Sequence, residues 1–107
     1  MKRTIKIGER DVEMLANAAS PYVYKTLFGQ DFIKESQSAD PDLHLMEKMG
    51  FVMAMQAELP TDKLFSLGIN QFYAWLTEFD PLDVLNASEA IGELYRDQTK
   101  NHSEPKK

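Results

Sequence analysis

At 107 residues the chain is long enough for one modest core and too short for two. Its 43% hydrophobic and 27% charged residues fit a soluble, folded protein, and the absence of cysteine removes disulfides, thiolate nucleophiles and cysteine-ligated zinc. No apolar run approaches the ~18 residues of a membrane span and the N-terminus lacks the apolar stretch of a secretory signal, so a cytoplasmic location and no membrane partner are expected.

The net charge of -5 is unevenly spread: residues 1–10 carry four bases and one acid, residues 96–107 four bases and two acids, and the stretch between them four bases and 14 acids. An acidic body repels phosphate backbones, which excludes nucleic acid as the expected partner and favours a basic one.

In chain order, Ile5 and Ile7 alternate with polar neighbours, the chain turns at Gly8-Glu9, and Val12 with Met14 or Leu15 resume the pattern. This predicts a β-hairpin over 3–15, which must lie on helices to be stable. The remainder reads helical, over about 21–28, 31–37, 41–59, 62–78 and 81–97. Ser20-Pro21, Asp40-Pro41 and Asp80-Pro81 share the order of an N-capping side chain followed by proline at the first helical position. Gly29 and Pro60 are stop signals. The expected fold is α+β, mainly α-helical: an N-terminal two-stranded β-hairpin packed on a bundle of about four to five helices. One domain is expected over 1–97, followed by a flexible tail over 98–107, where "QTKNHSEPKK" offers nothing to bury.

Leu43, Met46, Gly50, Met53 and Ala57 make one stripe of the longest helix, with Leu45, Met49 and Val52 beside it, a pattern that marks a central helix. On the following helix Phe65, Ile69, Phe72, Leu76 and Phe79 share a face expected to be buried. Phe51 and Met55 instead project into the polar sector with His44, Glu47, Lys48 and Glu58. Either another element covers them or they form an apolar knob for a partner or a second copy. Tyr73 and Trp75 are the other candidate partner-binding residues, with core packing as the alternative.

Nothing in the sequence points to catalysis, a cofactor or a metal. His44 and His102 have no partner at ligand spacing, and no phosphate loop, HExxH, GxSxG or EF-hand pattern occurs. The acids of "WLTEFDPLDVLNA" surround a proline, and the reading adopted is a helix-helix corner with Asp80 as cap; Asp40/Asp42 and Asp80/Asp83 are read as acids of a first helical turn.

The succession "TIKIGERDVEM", "SPYVYKTLFGQDFIKE", "LMEKMGFVMAMQA" and "FYAWLTEFDPLDVLNASEAIGELY", with a polar end in "PKK", resembles the tail assembly chaperones of siphophages and prophages of Gram-positive bacteria. Trp75, Phe79, Asp80, Leu94 and Tyr95 fill the most specific places, with Tyr95 where the family favours tryptophan. The resemblance implies a non-enzymatic protein that coats the tape measure protein, recruits tail tube subunits and leaves before the virion is complete. It also implies a frameshifted extension joined through the tail, with slippery codons at Lys106-Lys107. Two other functions fit the same composition: a tail completion or head-tail connector protein, and an acidic regulatory protein that occludes a basic nucleic-acid binder.

Overall fold

The computed structural model describes residues 2–40 and 42–103, with side chains through Asp97. Strands β1 (Lys2–Ile7) and β2 (Arg10–Leu15) pair antiparallel, Ile5 opposite Val12 and Ile7 opposite Arg10. The turn between them is the one the sequence predicts, and Gly8 takes a φ of +62°, a left-handed value that glycine adopts without a Cβ clash. Alternation places Arg3, Ile5, Ile7, Arg10, Val12 and Met14 on one face. Ile7 and Met14 are fully buried there, with Ile5 and Val12 packed against the same core. The arginines at the two ends of this face reach over the helices: Arg3 pairs with Asp97 at 3.3 Å and Arg10 with Glu78 at 3.1 Å. Each is an exposed pair of small individual value; the buried Ile7 and Met14 hold the hairpin on α3.

Seven helices follow among the described residues: α1 (Ser20–Phe28), α2 (Phe32–Ser36), α3 (Leu45–Glu58), α4 (Thr61–Leu64), α5 (Ile69–Leu76), α6 (Asp83–Asn86) and α7 (Ser88–Ser103). The protein is therefore α+β and mainly α, 57% helical with its hairpin at the N-terminus. Helix α3 is the central element, as its nearly all-round apolar pattern predicts: the hairpin, α1 and α7 all pack on it. Its Met49, Val52 and Met53 are fully buried. Gly50 permits the close approach of α7, since a Cβ there would fall 2.8 Å from Ile91 Cδ1.

The structure corrects the helix boundaries. The helix predicted over 62–78 is two helices, α4 and α5, because Gly68 is extended and acts as the entry to α5, its N–H donating to Gln71 Oε1 at 2.7 Å. The helix predicted over 81–97 is likewise α6 and α7, divided at Ala87, whose N–H is shared between the Asp83 and Val84 carbonyls. After that division α7 buries Ile91 and Leu94. Residues 98–103, expected in a flexible tail, are helical backbone, since no helix breaker precedes Pro105; the remainder of that expected tail, 104–107, lies outside the described residues.

The predicted caps are corrected as well. Ser20 lies inside α1, fully buried, and its hydroxyl donates to Gln56 Oε1 at 2.6 Å while accepting the Asn17 N–H at 3.0 Å. Asn17 Oδ1 accepts from Gln56 Nε2 and from the Ala19 N–H, both at 2.9 Å. This closed network, rather than a cap, joins the entry of α1 to α3. Ser20→Ala leaves Gln56 Oε1 buried without its donor, so a loss of about 1–3 kcal/mol in urea unfolding is expected; a loss below that range would mean the network is dispensable. Asp40 does not start a helix either. Its N–H donates to Ser38 Oγ, Asp42 Oδ1 accepts the His44 N–H, and α3 begins only at Leu45. These short side chains bond the local backbone in a turn that competes with the helix.

Candidate partner-binding cleft

Beyond α5 the chain must reverse to reach α7, and it does so in the stretch Phe79 to Asp83. Leu82 takes a φ of 74°, left-handed for a non-glycine residue. That strain interrupts any helix started at Pro81 and leaves the leucine side chain 63% exposed. Asp83, not Asp80, closes the corner: its Oδ2 accepts the Asp80 N–H at 3.2 Å while its own N–H donates to the Asp80 carbonyl at 3.1 Å. The expected capping role of Asp80 is thus corrected. Its carboxylate is free of hydrogen bonds and ion pairs among the described residues.

The hairpin turn docks on this corner. A Cβ on Gly8 would lie 2.3 Å from Asp83 Oδ2, so the glycine serves both the turn and the contact. Three adjoining clefts open around the junction, and Phe79 lines all of them. The largest, about 480 Å³, lies between the turn and the corner and is lined by Glu9, Arg10, Glu78, Asp80 and Asp83 beside Ile7, Gly8 and Phe79. The second, about 320 Å³, has Val12, Met55, Trp75 and Phe79 as its apolar floor and Asp11, Glu13, Glu58 and Glu78 around it. The third, about 270 Å³, has Leu76, Leu82 and Val84 with Glu47 and Asp80.

Eight carboxylates therefore surround this region with Arg10 as the one base among the lining residues. Arg10 is already committed to the Glu78 side chain and carbonyl, and its guanidinium lies 5.0 Å from the Phe79 ring centroid. Low-dielectric walls lined by one sign of charge concentrate the field, so the cleft attracts cationic groups.

The floor is held by a continuous succession of rings. Phe79 meets Trp75 at 5.1 Å, Trp75 meets Phe51 at 5.5 Å and Phe51 meets Phe72 at 5.5 Å. Phe72 continues through Phe28, Tyr24 and Phe32 to Tyr95, at centroid distances of 5.2, 4.9, 5.2 and 5.0 Å. Tilted and edge-to-face contacts of this kind add to area burial and resist displacement.

Of the four predicted partner-binding residues, Met55 and Trp75 line the second cleft. Phe51 is 1% exposed: it is core, because α5 lays Phe72 and Trp75 over it, which projection of a single helix does not reveal. Tyr73 is 56% exposed but does not line these clefts. Phe65 and Ile69, both of which the sequence placed on a buried face, are exposed as well. The Gly8–Asp83 contact and the place of Arg10 escaped sequence reasoning. Their available signal was the pair of arginines on the hairpin's apolar face.

A second ionic cluster lies at the N-terminal end of α3. Lys48 Nζ bonds Asp42 Oδ2 at 2.9 Å and Gln30 Oε1 at 3.0 Å, and sits 5.8 and 5.5 Å from the Tyr24 and Phe28 ring centroids. The hydrogen bond from Lys48 and the His44 backbone N–H hold the Asp42 carboxyl below its usual range. Burial pulls the Lys48 ammonium down, but its hydrogen bond to Asp42 and the charges of Tyr24 and Asp42 leave it raised. Burial pushes the Tyr24 hydroxyl up. A depressed carboxyl contributes stability that is present above its unfolded value and lost as pH falls through the folded one. Lys48→Met should accordingly move the Asp42 titration upward toward the ordinary carboxylate range, as read by carboxyl-detected NMR; an unmoved titration would assign the shift to the backbone bond.

Among the described residues no helix is long and apolar enough to cross a membrane, and no group of three or more His, Cys, Asp or Glu side chains is placed to hold a metal ion. No family model, curated protein or solved structure matches the chain.

Proposed function

We propose that the chain is a non-catalytic assembly chaperone for a phage or prophage tail, which holds the tape measure protein and promotes polymerisation of the tail tube around it. The observation that carries this reading is the cleft region at Phe79, an apolar floor of Met55, Trp75, Phe79 and Leu82 inside a ring of carboxylates. A long amphipathic helix with basic flanks suits such a surface: the apolar stripe covers the floor and the flanking cations meet the acids. The sequence resemblance supports the same reading, and three of its five most specific residues, Trp75, Phe79 and Asp80, line these clefts. Weak, repeated capture along a long partner needs many copies rather than a reactive group.

Co-expression tests the proposal. A tape measure protein from the same gene cluster, insoluble alone, should become soluble and co-purify with this chain. Purified virions should contain the tape measure and lack the chaperone. Presence of the chain in virions at fixed stoichiometry would instead make it a connector or completion protein. An A-rich slippery run at the Lys106-Lys107 codons with an open frame beyond would supply the extension that reaches tube subunits.

A further inference from the structure

We infer that the 480 Å³ cleft between the hairpin turn and the Phe79–Asp83 corner is a socket for an arginine side chain of the partner helix. The inference rests on the reading that this corner holds a protein helix, and not on that helix belonging to a tape measure. Glu9 and Asp80 line the cleft with carboxylates that have no cationic partner among the described residues. Asp83 contributes a carboxylate whose Oδ2 accepts a single backbone N–H. Phe79 supplies an aromatic wall that already receives one guanidinium, that of Arg10 at 5.0 Å, with Glu78 accepting from it at 3.1 Å. The protein thus shows how an arginine is held at this ring, and the same cleft is lined by acids without a cation among the described residues.

A guanidinium meets these demands better than an ammonium. It is planar and weakly hydrated, it stacks on an aromatic face, and its fork of N–H groups can bond two carboxylates at once. A metal ion is a poor occupant, because no group of three or more ligating side chains converges among the described residues. An anionic ligand would be repelled by the lining, and a wholly apolar side chain would leave the acids facing it without compensation. Because the adjoining second cleft is floored by Met55 and Trp75, the partner's arginine is placed about one helical turn from apolar residues that cover that floor.

The test uses the full chain and a helical peptide of roughly 18 residues with a leucine stripe and one central arginine. A second peptide carries citrulline in place of that arginine, which keeps the shape and removes the charge. Binding is read by Trp75 fluorescence and by NMR shifts of labelled protein. The arginine peptide should shift Gly8, Phe79 and Asp80, and the citrulline peptide should bind about tenfold more weakly, the loss of one charge-assisted, stacked contact. Glu9→Gln with Asp80→Asn should erase most of the difference between the two peptides; neither side chain holds the fold, so the double variant remains a valid probe. Equal binding of both peptides, or shifts confined to Phe65, Ile69 and Tyr73, would overturn the socket. If co-expressed tape measure stays soluble in that case, the chaperone reading survives and only the arginine assignment fails.

Discussion

Truncating Phe51 to alanine should cost about 4 kcal/mol of folding stability, a large share of what a chain of this size possesses. The side chain is 1% exposed and sits between Phe72 and Trp75, each 5.5 Å away. Removing it deletes two aromatic contacts and opens a cavity at the junction of α3 and α5, in a succession of rings that cannot collapse without moving Phe79 and Phe28. Phe51→Ser adds an unpartnered hydroxyl and should leave the protein largely unfolded. Chemical denaturation followed by Trp75 fluorescence measures this directly. A loss of under about 1 kcal/mol would mean that α5 does not cover α3 as described.

The next largest effect is expected at the hairpin turn. Gly8→Val should cost about 3 kcal/mol, combining the strain of a β-branched residue at a φ of +62° with a Cβ placed 2.3 Å from Asp83 Oδ2. The two parts are separable. In an Asp83→Ala background the collision disappears and the strain remains, so the cost of Gly8→Val should fall by about half. Independent, additive losses would show that the turn and the corner do not meet. The same variant should weaken partner capture beyond its effect on stability, since it displaces one lip of the 480 Å³ cleft.

Much of the fold was legible because several local signals agreed. Ile5, Ile7 and Val12 alternate around a glycine turn, Gly29 and Pro60 mark helix ends, and the apolar surround of α3 announces a central helix. The failures share one cause, that a local pattern does not report what packs on it. Ser20, Asp40 and Asp80 stand before prolines like caps, yet tertiary contacts gave Ser20 to Gln56 and gave the corner's bonding to Asp83. Phe51 looked like a surface knob until α5 covered it, and Phe65 and Ile69 looked buried until Gly68 separated α4 from α5. Of the cleft, Met55 and Trp75 can be nominated from the sequence, and the acids around Pro81 read as a corner. Their assembly with Glu9 and Arg10, some seventy residues before the corner in sequence, could not be read, because it depends on where the hairpin lies.

We propose the Phe79 corner as the face that holds the tape measure. Site-specific photo-crosslinking tests it most directly, with a benzophenone side chain placed at Leu82 or, as a control of similar exposure, at Tyr22 on α1; the wild-type residues are 63% and 68% exposed. On co-expression with the tape measure protein, the Leu82 probe should give the crosslinked product and the Tyr22 probe should give little. Crosslinking from Tyr22 with none from Leu82 would move the binding face away from the corner and overturn the proposal.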